Sequence, residues 1–383
     1  LFRSELKLND RVIAVNGEPV VGMDIIEAVD LIRGEEYTPV TLTIIRDTEE
    51  DGKKTEEKKD VTLLRGEVVL KESRFETSYE PYGDGVIAYV KLFSFYQDPD
   101  SSSSDDIEKA ITKLKNEHKI LGLIFDLRYN TGGLLSQAVG VAGQFITKGV
   151  VVSIKDENGE VQHLRDLDGK TVYNGPLIVL INRSSASASE IVAQTLQDYG
   201  RALIVGDDHS FGKGSFQTFT LNTTKNGPVN PKGEYKVTRG RYYTVSGKTP
   251  QLNGVQSDVV VPGPLSETEI GEKYAKYPLE SDTIKENFDD DLSDIPFYQR
   301  DKIKALYKFD LQKKVDLYGP YIDTLRKNSA YRLEHDKNYQ SFLKELKKSE
   351  VDEESASEEF GQNDLQLIET QNIMRDLLFL MKK

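Results

Sequence analysis

The sequence contains no cysteine, and only four of its 383 residues are histidine. The absence of cysteine excludes disulfide bonds and thiolate zinc sites, and it fits an enzyme outside the cytoplasm, although many cytosolic proteins also lack cysteine. No apolar run approaches the length of a membrane helix. Basic residues number 50 against 64 acidic ones, for a net charge of -14. This balance argues against nucleic acid or an anionic membrane surface as the main partner.

The strongest chemical signal lies between residues 182 and 217. The apolar run Leu177–Ile181 predicts a buried strand, and serines spaced by alanines lead from it into an amphipathic segment at 190–197. At such a junction a hydroxyl is held away from its neighbours, while the first N–H groups of the helix face the place where an oxyanion can form. Ser187 is therefore the best-placed nucleophile of the three spaced serines.

A serine nucleophile needs a base, and among the histidines only His209 competes for that role. Lys213 is the better candidate, because it has glycine on both sides and nearby phenylalanines that can exclude water from its amine. Its pKa must fall by roughly 3 units, or about 4 kcal/mol, for a base near neutral pH. Burial favours this fall and a nearby carboxylate opposes it. We therefore expect a mostly apolar pocket in which the neutral Gln217 orients the amine.

A second strand and turn resemble the first. Residues 121–127 form a continuous apolar run, typical of a strand covered on both faces, and the paired Gly132 and Gly133 follow before a helix that begins near Leu134. Two helix N-termini can then converge at one side of a sheet. Backbone N–H groups of Gly132 or Gly133, and of Ala188, are candidate oxyanion donors, each worth about 3 to 4 kcal/mol in a transition state. Paired glycines after a strand are also often only a tight turn.

Two other reaction classes fit the sequence poorly. A phosphate-binding loop requires a glycine-lysine pair followed by serine or threonine. Here Gly214 follows Lys213, and Asp207 stands where the first glycine of such a loop belongs. A glycoside hydrolase is favoured only by abundant carboxylates, which carry little weight on an acidic surface.

The first 46 residues contain a tight-turn pair, Asn16-Gly17, then a helical pattern at 24–32 and an alternating strand at 40–46. This order resembles the second half of a PDZ domain, which binds a peptide as an added strand beside a helix. The alternative is a small α/β module that only packs on its neighbour. The carboxylate-binding loop is expected to precede Leu6. The candidate peptide-groove residues are Ile25, Ile26, Val29 and Ile32.

The strings SASASE, QDYGRA and FGKGSFQ, with RYNTGG upstream, resemble the carboxyl-terminal processing proteases of peptidase family S41, and the details are closest to the tail-specific protease branch. The resemblance implies an α/β protease core of the crotonase/ClpP type. It also implies Ser187 as nucleophile, Lys213 as general base, Gln217 as its support and the glycine pair as part of the oxyanion site. Asp198 matches a family aspartate, and we predict a structural role, because a carboxylate touching Lys213 would raise the lysine pKa.

The predicted domains are an incomplete PDZ-like domain at 1–70, the protease core at 71–264 and a helical C-terminal extension at 265–383. In the extension we predict helices at 300–321, 339–347 and 365–380, with a disordered acidic segment at 349–359. The extension is similar to that of the tail-specific branch. It limits access to the site, docks a partner such as an adaptor protein, or only covers apolar core, and the sequence leaves these alternatives open.

The predicted function is a serine endopeptidase that cleaves proteins with accessible apolar C-terminal tails through an acyl-enzyme, without a metal or cofactor. We expect it in the periplasm or cell envelope, with any signal peptide upstream of Leu1. A peptide-binding scaffold that does not cleave remains an alternative. So does a crotonase-like acyl-CoA enzyme, although the sequence shows no basic cluster for CoA.

Overall fold

The computed structural model describes residues 6–7, 10–23, 25–35, 37–50, 53–66, 74–219, 236–348 and 364–382. The chain divides into two units, Leu1–Lys71 and Glu72–Lys383. The predicted acidic segment at 349–359 lies outside the described residues. The domain boundaries predicted at residues 70 and 264 stay predictions.

The first unit is an antiparallel sheet with one helix. Its elements are β1 Arg11–Val15, β2 Glu18–Pro19, α1 Ile25–Ile32, β3 Pro39–Glu50 and β4 Lys53–Leu64. The sheet order is β2-β1-β3-β4, and Asn16 and Gly17 form the predicted turn with positive φ angles. Alternation in β3 buries Val40, Leu42 and Ile44 on one face, because successive side chains of a strand point to opposite sides.

The second unit contains two sheets. Its strands are β5 Phe75–Tyr82, β6 Gly85–Leu92, β7 Ile120–Asp126, β8 Gly149–Asp156, β9 Val161–Asp166, β10 Leu177–Ile181, β11 Leu203–Gly206, β12 Ser215–Phe219, β13 Lys236–Thr244 and β14 Val259–Val260. The larger sheet has the order β14-β11-β10-β7-β6-β5 and is parallel except for β5. The smaller, antiparallel sheet has the order β12-β13-β8-β9.

Helices pack on both faces of the parallel sheet. The described α-helices of the second unit are α2 Ser103–Glu117, α3 Leu135–Gly143, α4 Ala188–Asp198, α5 Phe297–Tyr307, α6 Gly319–His335, α7 Lys337–Lys348 and α8 Leu365–Met381. One face contacts α2, α3 and α4 through a core that includes Phe125, Val179 and Ile191. This explains the unbroken apolar runs of β7 and β10, since strands buried on both faces do not alternate. No helix among the described residues has the length and apolar character of a membrane span.

The opposite face is covered by α6, α7 and α8. Met374 and Leu377 of α8 pack in one apolar core with Ile124 of β7 and Leu180 of β10. Burial of this kind stabilises a fold by about 25 cal/mol per Å² of apolar surface. The C-terminal helices therefore complete the apolar core of the second unit.

The helix predicted at 300–321 is wrong. Helix α5 ends at Tyr307 and α6 begins at Gly319, with Pro320 in its first turn, where a missing N–H costs nothing. Between the two helices the backbone pairs with another segment: the Lys148 N–H donates to the Asp310 carbonyl at 2.9 Å, and the Gln312 N–H donates to the Lys148 carbonyl at 2.6 Å. These long-range bonds replace the helical ones that the local pattern predicted.

Candidate active site

Ser187 lies between β10 and α4, as the residue that precedes the first helical turn. Its φ of 58° and ψ of -112° are strained for a residue with a side chain. The neighbouring serines are buried, and each hydroxyl donates to a backbone carbonyl: Ser185 to Leu127 at 2.9 Å and Ser189 to Asn130 at 2.7 Å. Ser187 is only partly buried. Of the three serines, it is therefore the most exposed.

The carboxylate of Glu190 binds the backbone of this turn through hydrogen bonds. Its side chain is fully buried and accepts four hydrogen bonds. One oxygen accepts from the Ser210 hydroxyl at 2.5 Å and the Gly212 N–H at 2.6 Å; the other accepts from the Ser187 N–H at 2.8 Å and the Lys213 N–H at 2.9 Å. Burial raises the pKa of Glu190 to about 7, although the donors favour the carboxylate.

Glu190 thus joins the backbone of Ser187 to the backbone of Lys213. Sequence reasoning did not predict this residue. The available signal was its position three residues after a serine that precedes a helix, where glutamate often accepts from the backbone N–H of that serine. The spacing indicates that local bond, but not the long-range bonds to residues 210–213.

Lys213 is half-buried, in the loop between β11 and β12. Burial, followed by the positive charge of Lys236, lowers the Lys213 pKa below 10.5, while Glu272 and Glu190 act in the opposite direction. The net direction is the one that a general base near neutral pH requires. The surroundings are less apolar than predicted, because two carboxylates lie close enough to raise the pKa.

The side chains of the predicted catalytic residues are not hydrogen-bonded to one another. Among the described residues, no hydrogen bond joins the Ser187 hydroxyl, the Lys213 amine and the Gln217 amide to one another. Gln217 is half-buried on β12, where the register against β13 shifts between Phe216 and Gln217. Their backbones, in contrast, are closely connected. Besides Glu190, the hydroxyl of Tyr242 on β13 bonds the Ser187 carbonyl, at 3.1 Å, and the Lys213 carbonyl.

The glycine loop after β7 lies directly against the serine turn. A Cβ placed on Gly132 would be 2.8 Å from the Ser187 Cβ and 3.0 Å from the Ala188 nitrogen. The N–H of Gly132 donates to the Asn130 side chain at 2.9 Å. Within the described part of the chain, the N–H groups of Gly133 and Ala188 have no acceptor. These two groups are therefore available to an oxyanion without breaking an existing bond.

Asp198 and His209 are engaged elsewhere. Asp198, at the end of α4, accepts from the Gln194 amide at 2.9 Å, the Ser246 N–H at 3.3 Å and the Thr244 hydroxyl. It ties α4 to the end of β13, in keeping with a structural role. His209 places Nδ1 2.7 Å from the Ser210 carbonyl and Nε2 3.1 Å from the Lys273 amine. Neither ring nitrogen is directed at Ser187.

The start of α8 connects the two loops that flank Ser187. Arg128, in the glycine loop, donates to Asp364 at 2.6 Å and to the Gln366 side-chain oxygen at 3.1 Å. The Gln366 amide nitrogen donates in turn to Asp207 at 3.0 Å and to the Val261 carbonyl at 2.7 Å. Asp207 begins the loop that carries Lys213. No sequence pattern predicted this connection, because its members are far apart in the chain.

The predicted peptide-groove residues lie on α1 of the first unit. The side chains of Ile25 and Ile26 are outside the described part. Val29 is half-buried, and Ile32 packs against the apolar core of that unit. In the described residues, no group of three or more His, Cys, Asp or Glu side chains is arranged to hold a metal ion.

Comparison with known proteins identifies the class. The model of peptidase family S41 matches residues 86–261, and a PDZ domain model matches residues 3–46. Residues 86–261 of the chain therefore form a domain of peptidase family S41, a family of serine-type peptidases. The predicted α/β protease fold with a PDZ domain and a helical C-terminal region is confirmed.

Within that class the relatives are carboxyl-terminal processing proteases. The tail-specific protease of Haemophilus influenzae is 36% identical over 268 residues, which are 70% of this chain and 37% of the relative. The carboxy-terminal-processing protease of Bartonella bacilliformis is 36% identical over 274 residues, 70% of this chain and 56% of the relative. A solved structure titled photosystem II D1 C-terminal processing protease is 29% identical, covers 67% of this chain and 64% of its own, and has a TM-score of 0.43. The matched part thus spans from about a third to less than two thirds of these relatives' own lengths.

Proposed function

We propose that this chain is a serine endopeptidase in which Ser187 is the nucleophile and Lys213 the general base. The observation that carries the proposal is Glu190, whose one carboxylate oxygen binds the backbone N–H groups of both residues. Two residues far apart in sequence are thereby held at one place. Ser187 offers an accessible hydroxyl there, and the Lys213 pKa is lowered.

The reaction proceeds in two steps. The neutral Lys213 amine accepts the proton of the Ser187 hydroxyl while the oxygen attacks the peptide carbonyl carbon. The C–N bond then breaks, the leaving amine takes the proton from Lys213, and an acyl-enzyme remains. Water attacks this ester with Lys213 again as the base, which releases the new C-terminus and restores Ser187.

The present side-chain separation is compatible with this chemistry, since catalytic hydrogen bonds are often long in the free enzyme and tighten when substrate binds. Glu190 already holds the backbones of Ser187 and Lys213 at one place. Substrate binding therefore has to bring only the flexible end of the Lys213 side chain to the Ser187 hydroxyl. Gln217, four residues further on, supports the amine in that state. The free N–H groups of Gly133 and Ala188 hold the oxyanion, and Gly132 shapes the turn between them.

The substrates are proteins with accessible, apolar C-terminal tails, which the PDZ unit binds before cleavage. This specificity follows the names of the relatives, a tail-specific protease and a carboxy-terminal-processing protease. The enzyme acts in the periplasm or cell envelope, and the C-terminal helices offer a surface for an adaptor protein.

The test uses an unfolded protein that ends in an apolar tail, and the same protein ending in two aspartates. Wild-type chain, Ser187→Ala and Lys213→Ala are incubated with each, and products are identified by mass spectrometry. We expect the wild type to cleave the apolar-tailed substrate faster, and both variants to lose cleavage while keeping their circular dichroism spectra. Equal binding but no cleavage by all three proteins would support a peptide-binding scaffold instead. Cleavage by Ser187→Ala would refute the assignment of the nucleophile.

A further inference from the structure

The hydroxyl of Tyr242 contacts two backbone carbonyls that belong to different parts of the chain. One is the Ser187 carbonyl at 3.1 Å, and the other is the Lys213 carbonyl. Tyr242 is 1% exposed and comes from β13. Burial, followed by the charges of Glu190 and Glu272, raises the pKa of Tyr242 well above 10, so the phenol keeps the proton that it donates.

The Tyr242 contacts complement those of Glu190. Glu190 accepts from the backbone N–H groups of Ser187 and Lys213, and Tyr242 lies at the backbone carbonyls of the same two residues. Each peptide backbone is therefore fixed at its N–H and at its C=O by the same pair of side chains. In this structure Glu190 accepts all of its four hydrogen bonds and Tyr242 donates, so the two side chains make different bonds to the same two residues.

The two carbonyls differ in how much they depend on Tyr242. The Ser187 carbonyl also accepts the first hydrogen bond of α4, from the Ile191 N–H at 3.0 Å. For the Lys213 carbonyl, Tyr242 is the one donor within the described part of the chain. Loss of the phenol hydroxyl would thus leave the lysine backbone, rather than the serine backbone, without its partner.

We infer that Tyr242 is a positioning residue of the peptidase reaction, which fixes the backbone of Lys213 relative to Ser187 and so sets the path of the lysine amine to the serine hydroxyl. This inference rests on the proposed roles of Ser187 and Lys213. It requires no contact between Tyr242 and substrate. Its effect is on rate, because a displacement of about 1 Å in a reacting group can slow a reaction about 100-fold.

The test compares Tyr242→Phe with Tyr199→Phe. Tyr199 is also fully buried in the same unit and donates its hydroxyl to a backbone carbonyl, that of Val150, at 2.8 Å. Both variants lose one hydroxyl of a buried tyrosine that bonds backbone carbonyls, two for Tyr242 and one for Tyr199, so a loss of stability is expected in both. The measurements are kcat and KM for the apolar-tailed substrate, the rate of Ser187 labelling by a fluorophosphonate across pH, and the melting temperature.

For Tyr242→Phe we expect kcat and the labelling rate to fall about 10- to 100-fold with KM nearly unchanged. We also expect the midpoint of the rise in labelling rate with pH to move upward, because a looser Lys213 is better hydrated and its pKa returns toward 10.5. Tyr199→Phe should keep the wild-type rates and midpoint.

Equal rates and midpoints in the two variants would overturn the inference about Tyr242. Ser187→Ala and Lys213→Ala are run beside them to separate the two levels of the proposal. If these variants are inactive but Tyr242→Phe behaves like Tyr199→Phe, only the positioning role is wrong. If Ser187→Ala still cleaves, or the wild type is neither labelled nor active, the proposed function fails and the positioning role fails with it.

Discussion

Two strand-turn-helix units meet at the candidate active site, and their turns are built differently. The turn after β7 uses glycine at positive φ, 106° at Gly132 and 146° at Gly133. The turn after β10 places Ser187 at a φ of 58°. Glycine adopts such angles at little steric cost, whereas a residue with a side chain stores about 1 to 3 kcal/mol of strain. The first turn thus adopts its conformation because it contains glycine. The second turn depends on the hydrogen bonds that Glu190 and Tyr242 make to its backbone.

Removal of the main contact of the serine turn should have the largest effect. Glu190→Ala leaves four donors, two of them buried, without their acceptor, and we expect a loss of about 3 kcal/mol or more in the free energy of unfolding, measured with urea. Labelling of Ser187 should become undetectable in the fraction that stays folded. Glu369→Ala is the control, since Glu369 is also buried but pairs with Arg332 on the opposite face of the sheet. A folded Glu190→Ala protein with wild-type labelling would contradict this view of the turn.

Giving the glycine turn a side chain should inactivate the enzyme with less loss of stability. In Gly132→Ala the new methyl group would meet the Ser187 Cβ and the Ala186 carbonyl, each at 2.8 Å. We expect cleavage to fall at least about 100-fold. Gly83→Ala is the matched control, because Gly83 also has positive φ but open space around it. Both variants should lose about 1 kcal/mol from backbone strain. If both cleave at the same rate, the close approach of the two turns has no catalytic importance.

Uncoupling the glycine loop and the Lys213 loop from α8 should have an intermediate effect on stability and cleavage. Gln366→Leu removes the side chain that contacts both Arg128 and Asp207. We expect a loss of about 1 to 3 kcal/mol in the free energy of unfolding and a several-fold fall in cleavage. Asn372→Leu is the control, since among the described residues the Asn372 side chain bonds only members of its own helix, Glu369 and Arg375. Equal cleavage by the two variants would show that α8 covers the core without supporting the site.

The smallest effects should come from charges near the lysine. Lys236 lowers the Lys213 pKa and Glu272 raises it. In the proposed mechanism the neutral amine is the active form, so we expect the acylation rate to rise with pH through the Lys213 pKa. Lys236→Gln should move the midpoint of this rise to higher pH, and Glu272→Gln should move it to lower pH. Shifts in the same direction would show that the titrating group is not Lys213.

Much of the fold was predictable because it depends on local patterns. The unbroken apolar runs marked β7 and β10, and the glycine pair marked the turn after β7. The predicted helix at 300–321 failed because residues 308–318 pair with Lys148 and Tyr199, which no local pattern reveals. In the candidate site, Ser187 and Lys213 could be predicted from adjacent residues, namely the alanines before a helix and the glycines on both sides of the lysine. Glu190 and Tyr242 did not, because their importance comes from bonds that cross between elements.

The most direct test of the account is the pH dependence of Ser187 acylation by a fluorophosphonate, in wild type and in Lys213→Met. We expect the wild-type rate to rise with pH with a midpoint below 10.5, since burial lowers the Lys213 pKa. In Lys213→Met the rate should be low at every pH and the rise should disappear. An unchanged rate and midpoint in Lys213→Met, or labelling of Ser185 or Ser189 in place of Ser187, would contradict the assignment of the two catalytic residues.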